Sequence, residues 1–379
     1  MEMMSKLIEI PSASSVSPMF DMGNQAVIDL LANWLEDLGF TVEIQTLENH
    51  TDKANLIATL GQGEDGLVLA GHTDTVPCDE GRWRFDPFSL TVSKDRLYGL
   101  GTADMKSFLA LAIETAGSFK DSDLERPLTI LATADEESTM DGVKLIAQRD
   151  QRLGRYCVIG EPTNLIPVHQ HKGMFMEAIR LLGQSGHSSD PRLGKNALEG
   201  MHAVIHGLVD FRTELEELHN NPIFDVPTPT LNLGHIHGGD NPNRICGQCE
   251  LHFDLRPLPG MSIDELRQTL RDRVSRIAAE LELECEFKAL QDGIPAMETP
   301  VDSPIVKLAE ELSGAKSIAV AFATEGPYLN QMGTETVVLG PGNIAQAHQP
   351  DEYLEIARIQ PTLDLLRQLI FRVCGGDSD

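Results

Sequence analysis

Four apolar runs in this chain end in the same manner: "LVLAGHTD" (67–74), "LTILATADEE" (128–137), "YCVIGEP" (156–162) and "TVVLGPG" (336–342). Each is a short, nearly unbroken apolar stretch that stops at glycine, proline, histidine or an acid. Continuous runs of that length read as strands buried on both faces. Helical patterns stand between and around them. Residues 24–38, "NQAVIDLLANWLEDL", have helical apolar spacing and stop at Gly39. "MKSFLALAIETAGSF" and "DGVKLIAQ" are helical as well, and "TVEIQTL" and "ANLIATLG" read as two further strands. Strands alternating with helices predict an α/β fold, a mixed and mostly parallel sheet covered by helices. In such a sheet, ligands gather beyond the carboxyl ends of the strands.

The pattern changes near residue 173. "MFMEAIRLLGQ" reads as a strand and "NALEGMHAVIHGLVDFRTELEEL" as a long helix. Two strands follow, "TLNLGHIHGG" and "GQCELHFDLRP". Ser262 then opens a helix with Glu265 at capping-box spacing, and "LECEFKA" closes the set. That order is β-α-β-β-α-β, the ferredoxin-like split unit. The expected organisation is a discontinuous α/β domain, residues 1–172 and 289–379, interrupted by an inserted domain over 173–288. After the insertion the sequence predicts a helix from about Pro304, strands "SIAVAFAT" and "ETVVLGPG", and a last helix from Glu352 that Pro361 kinks or restarts.

Net charge is −28, which opposes binding to phosphate backbones, so nucleic acid is not an expected partner. No apolar run reaches the length of a membrane span. The start, "MEMMSKLIEIPSASS", lacks the pattern of a secretory leader, and a cytoplasmic location is expected. The six cysteines are scattered, and reduced thiols suit that compartment. Cys246 and Cys249 form one C-x-x-C pair in a strand-like segment, a weak zinc signal.

Polar groups recur where the first-domain strands end. His72 and Asp74 follow "LVLAG". Asp104 follows "LYGLGTA" and precedes a helix. Glu136 and Glu137 follow "LTILATAD", Glu161 ends "YCVIG", and His348 comes soon after "TVVLGPG". Alternation in an extended chain puts His72 and Asp74 on one side, where the pair is either a structural hydrogen bond or the outer support of a metal site. Each group alone has an ordinary reading: Asp104 as a helix N-cap, the 135–137 acids as a solvated turn, Glu161-Pro162 as a turn, His348 as a loop histidine. Together they bring several carboxylates to one place, where repulsion demands protons or cations. Mixed histidine and carboxylate ligands suit zinc, cobalt or manganese.

"LAGHTDTVP", "GLGTADMKS", "DEES", "GEPT" and "GNIAQAHQPDE", in that order, resemble the zinc-dependent amidohydrolase and peptidase family, and the likeness spans nearly the whole chain. The resemblance implies a zinc-peptidase-like catalytic domain with an inserted lid and dimerisation domain. It implies two Zn2+ per subunit, with Co2+ as a substitute. Asp104 would bridge them, His72 and Glu161 would complete one site, and Glu137 and His348 the other. Glu136 would be the general base, and Asp74 would hydrogen-bond His72. A cis peptide is implied between Asp104 and Met105. His187 in "SGHSSDP" would be a neutral donor to the oxyanion in its own or a partner's active site. Asn243 and Arg256 would bind the substrate carboxylate. Glu325 in "FATEGP" is the candidate to meet a cationic substrate side chain. The expected reaction is hydrolysis of an N-acetylated amino acid, N2-acetyl-L-ornithine, by a homodimer. N-succinyl-diaminopimelate or another acylated amino acid is the alternative substrate, and a catalytically silent metal- or amino-acid-binding dimer is the alternative of another class.

Overall fold

The computed structural model describes residues 1–48, 50–149 and 151–375. The chain divides into two compact units. The first comprises Met1–His169, Thr299–Ile318 and Thr324–Asp379, and the second Gln170–Glu298 with Ala319–Ala323.

The first unit is built on one mixed sheet. Its order is Thr41–Leu47, His50–Leu60, Leu128–Thr133, Leu67–His72, Tyr156–Pro162, Glu335–Gly340 and then Val168. The strands Leu128–Thr133, Leu67–His72, Tyr156–Pro162 and Glu335–Gly340 run parallel to their neighbours within this group. The flanking pairs are antiparallel. The four apolar runs therefore form the parallel centre, and their carboxyl ends meet along one edge.

Burial of these strands is complete because both faces are covered. Leu67, Leu69, Leu128, Ile130, Val158, Val337 and Leu339 pack into one cluster with the helices Gln25–Asp37, Lys106–Ala116, Pro304–Ser313 and Ile359–Cys374. The alternate residues Val68, Ala70, Leu131, Ile159 and Val338 are equally buried on the opposite face. The short helices Asp141–Ile146 and Gly326–Gln331 touch each other, and the latter lies against the Glu335–Gly340 strand. Two glycines set how closely the helix Lys106–Ala116 approaches the sheet. A Cβ at Gly71 would stand 2.6 Å from Met105 Cε, and one at Gly160 would stand 2.0 Å from Phe108 Cγ.

The second unit is a four-stranded antiparallel sheet in the order Thr230–Gly238, Gln248–Arg256, Met174–Leu182, Glu284–Ile294. The helices Ala197–Leu218 and Ile263–Glu280 pack on one of its faces through Phe175, Ile179, Met201, Leu208, Phe253, Leu270 and Val274. In chain order the elements run β-α-β-β-α-β, and Ser262 Oγ caps its helix by accepting from Glu265 N at 3.4 Å.

Three readings differ from the structure. The last helix starts at Ile359, not Glu352, so Pro361 sits in its first turn, where a missing N–H removes no helical bond. Tyr353–Glu355 is instead a strand paired with Arg96–Tyr98. Only Ile318–Val320 of "SIAVAFAT" is strand. The second unit exceeds 173–288 because its closing strand continues to Ile294 and Met297–Glu298 then pairs with Gln170–His171. The helix Glu2–Ile8 escaped the sequence reading.

Candidate active site

At the carboxyl edge of the parallel strands, His72, Asp104, Glu137, Glu161 and His348 come together. His72 Nε2 lies 3.1 Å from Asp104 Oδ1 and 3.7 Å from Glu161 Oε1. His348 Nε2 lies 2.9 Å from Glu137 Oε2 and 3.6 Å from Asp104 Oδ2. The cluster thus consists of two sets, one on each oxygen of Asp104. The peptide Asp104–Met105 is cis. Glu136 is close enough to His72 and Glu161 to share a cation with them.

The local chain explains these placements. His72 is the last residue of a buried strand and is 1% exposed. Its Nδ1–H donates to the carbonyl oxygen of Asp74 at 2.9 Å, which turns Nε2 toward Asp104. This corrects the expected side-chain bond from Asp74, whose carboxylate stands 3.7 Å from Nδ1. That carboxylate accepts the backbone N–H of Glu136 at 3.3 Å and of Glu137 at 3.0 Å instead. Asp74 therefore braces the loop that carries both acids. On the same loop Asp135 adopts φ 59°, and its carboxylate is held by Lys53 Nζ at 2.6 Å and Ser14 Oγ at 2.8 Å. Lys53 also reaches Asp21 at 2.7 Å.

The residues fit divalent cations. Glu161 Oε1 is buried and has no hydrogen-bond partner among the described residues. His72, Asp104 and Glu137 form one group with ligand geometry, and His72, Glu136 and Glu161 another. Burial, reinforced by Glu161 and by Glu137, raises the Glu136 carboxyl well above its ordinary range, and burial with Asp104 does the same to Glu161. Burial opposes charge on His72, yet the bond to Asp104 and the fields of Glu161, Glu136 and Asp74 raise its pKa well above normal. Burial likewise resists charge on Asp104, but His72 and His348 hold its pKa below the usual value. The hydrogen bond to Glu137 raises His348 to about 9. Without cations such a cluster holds itself together with protons, and cations would take their place.

The remaining candidates lie elsewhere. Glu325 is 1% exposed, its carboxyl bonded to Thr133 and pushed up to about 7 by burial. One of its oxygens has no hydrogen-bond partner among the described residues, and its field acts on Glu136. His187, Asn243 and Arg256 belong to the second unit. His187 Nδ1 pairs with Ser189 Oγ at 2.7 Å, and Ser188 N donates to the Asn243 carbonyl at 3.1 Å. Arg256 is forked onto Asp254, its Nε 2.9 Å from Oδ1. Among the described residues no disulfide joins Cys246 and Cys249, or any of the other cysteines. The sequence reading missed Glu352 and Lys106. A lone lysine in the apolar helix "MKSFLALAIETA" was the available signal for Lys106, which is 2% exposed.

An α/β sheet whose strand ends gather histidines and carboxylates around one shared aspartate defines the class of divalent-cation-dependent hydrolases. The chain belongs to peptidase family M20/M25/M40, whose family model matches residues 68–372. It is 49% identical over 373 residues to the acetylornithine deacetylase of Aliivibrio salmonicida (strain LFI1238), covering 98% of each chain. It is 48% identical over 374 residues to the acetylornithine deacetylase of Vibrio campbellii (strain ATCC BAA-1116), covering 99% of this chain and 98% of that protein. Among solved structures, a Staphylococcus aureus tripeptidase superposes with a TM-score of 0.77 at 20% identity, over 98% of this chain and 97% of its own. A dinuclear metal-binding M20 peptidase of Bacillus subtilis gives a TM-score of 0.68 at 15% identity, over 98% and 97%. Among the described residues no helix is long and apolar enough to cross a membrane.

Proposed function

We propose that this protein hydrolyses N2-acetyl-L-ornithine to L-ornithine and acetate, a step of arginine biosynthesis. The observation that carries the hydrolytic chemistry is the double set of ligands on Asp104 with Glu136 beside it. The acyl and amino-acid preference rests on near full-length identity to deacetylases of that substrate.

His72, Glu161 and Asp104 would hold one divalent cation, and Glu137, His348 and Asp104 a second. Zinc, with cobalt as a substitute, would supply the charge that acidifies a water and draws electron density from the amide carbonyl. Glu136 removes the proton of the attacking water and returns it to the departing amine. Its raised affinity for protons suits both transfers. Asp74 keeps Glu136 and Glu137 in register through their backbone N–H groups. The proposal also gives the second unit's His187 the part of oxyanion donor, and Asn243 and Arg256 that of carboxylate binders. Arg256 would then share its fork between Asp254 and the substrate. A homodimer through the second unit is part of the reading, supported by the mostly exposed edge strand Thr230–Gly238; a monomer in sedimentation at micromolar concentration would remove it. Six cysteines with no disulfide between them support a cytoplasmic setting.

The test is a substrate panel with chelated and zinc-restored protein, followed by amine release. N2-acetyl-L-ornithine should be cleaved faster than N-succinyl-diaminopimelate or acetylated neutral amino acids, and only after metal is restored. Glu136→Gln should lower kcat by about 10²–10⁴-fold while metal content stays that of the wild type. Retained turnover would remove the assignment of the base.

A further inference from the structure

One buried acid of the first unit has no part in the scheme above. Glu352 is 1% exposed and follows His348 by four residues. Its Oε1 accepts the backbone N–H of Ala103 at 2.7 Å and of Asp104 at 3.1 Å, and its Oε2 accepts that of Gly101 at 3.1 Å. Its own carbonyl takes the N–H of Gly99 at 3.1 Å. The same turn is backed from within the unit by Lys106. A Cβ at Gly101 would stand 3.1 Å from Lys106 Cδ, and Lys106 Nζ is fixed by the carbonyls of Leu7 at 3.2 Å and Ile10 at 2.7 Å. The segment Gly99–Asp104 is thus caught between a lysine stem and a carboxylate.

We propose that Glu352 is a positioning residue for the cation centre, tying the loop that carries His348 to the loop that carries Asp104. The inference rests on the two-cation reading given above. His348 and Asp104 come from segments about 250 residues apart in the chain, and Glu352 links them by three hydrogen bonds. Asp74 does the same for the His72 loop and the Glu136–Glu137 loop. Two acids outside the ligand set therefore brace the four loops in pairs. Supports of this kind commonly change metal affinity or activity by about 10–100-fold when removed. A glutamine there offers a single amide oxygen to Ala103 and Asp104, while its NH2 would face the Gly101 N–H, donor against donor, so the substitution loosens this turn; a positioning role requires that the cation centre respond to that loosening while the fold without cations does not.

The experiment uses the full chain carrying Glu352→Gln, compared with wild type in three measurements. They are zinc affinity by competition with a chromophoric chelator, the visible absorption spectrum of the cobalt-loaded protein, and the unfolding temperature in excess chelator. We expect zinc affinity to fall about 10–100-fold and the cobalt spectrum to change. The unfolding temperature in chelator should stay within a few degrees. Wild-type zinc affinity and spectrum in the variant overturn the proposal. So does a fall in affinity matched by collapse of the chelated protein, provided Glu352→Asp, which keeps the charge but draws it back by one methylene, folds and binds zinc like wild type. If wild type itself binds no metal, the two-cation reading fails. If wild type binds and the glutamine variant equals it, only the positioning role fails.

Discussion

Replacing Gly160 by alanine should destabilise the protein through one defined collision. The new methyl would stand 2.0 Å from Phe108 Cγ, 2.1 Å from Cδ1 and 2.3 Å from Cδ2. The ring cannot swing away easily, because Phe108 is 1% exposed and lies in the cluster beneath the sheet. Overpacking of this kind costs about 1–3 kcal/mol, and contact with a boxed-in ring places the expectation near 3 kcal/mol. A unit of this size loses about 2–4 °C of Tm per kcal/mol, so the apparent Tm should drop by about 6–12 °C. Phe108→Ala alone should cost about 3–5 kcal/mol through the cavity it opens. Combined, the two changes should cost less than their sum by about 1–3 kcal/mol, since the alanine methyl then enters space the ring has left. The assay is thermal unfolding of the four proteins at one scan rate, with zinc content measured alongside. Glu161 follows Gly160 directly, and the helix holding Phe108 begins right after the Asp104–Met105 peptide, so metal content should fall with Tm. A Gly160→Ala protein that melts within about 1 °C of wild type, or costs that add within about 0.5 kcal/mol, would refute the close-approach argument.

Two further outcomes follow from the site. Asp74→Asn leaves one acceptor oxygen for the two backbone N–H groups of Glu136 and Glu137, so kcat should fall about 10–100-fold with KM changed less than about 2-fold; steady-state kinetics showing an unaltered kcat would remove the bracing role. In the cation-free protein His348 is protonated up to pH about 9, and a divalent cation needs its lone pair. Adding zinc at pH 7 should therefore release at least one proton per chain, and zinc affinity should rise with pH until about 9; titration in two buffers of different ionisation enthalpy reads the release, and none detected would contradict it.

Much of the first unit was legible because its central strands are buried on both faces, which leaves unbroken apolar runs with sharp polar ends. The same feature pointed to the site, since His72, Glu136, Glu137, Glu161 and His348 sit at or beyond those ends, while Asp104 lies between Arg96–Tyr98, a strand of a separate small sheet, and the helix Lys106–Ala116. What escaped depends on partners far away in the chain. Nothing local tells that Glu352 serves the N–H groups of residues near 101–104, and between Asp351 and Tyr353 it read as the start of a helix. Asp74 was singled out as the partner of His72, but alternation gives the side of a strand a residue faces, not whether its carbonyl or its carboxylate meets the histidine. Burial is a similar gap: nothing in "FATEGP" tells that Glu325, the N-cap of the helix Gly326–Gln331, is only 1% exposed.

The chain leaves the first unit at His169 and re-enters it at Thr299, and the two residues are joined there by a backbone hydrogen bond of 2.9 Å. The main departure and return thus lie side by side, and only the five residues Ala319–Ala323 cross a second time. A passenger of well over a hundred residues, with a hydrophobic interior of its own, is carried between them. At the level of the gene, such a cassette can be lengthened, exchanged or trimmed by recombination near one spot. Evolution could then retune which amide is cleaved while the cation-binding scaffold stayed untouched.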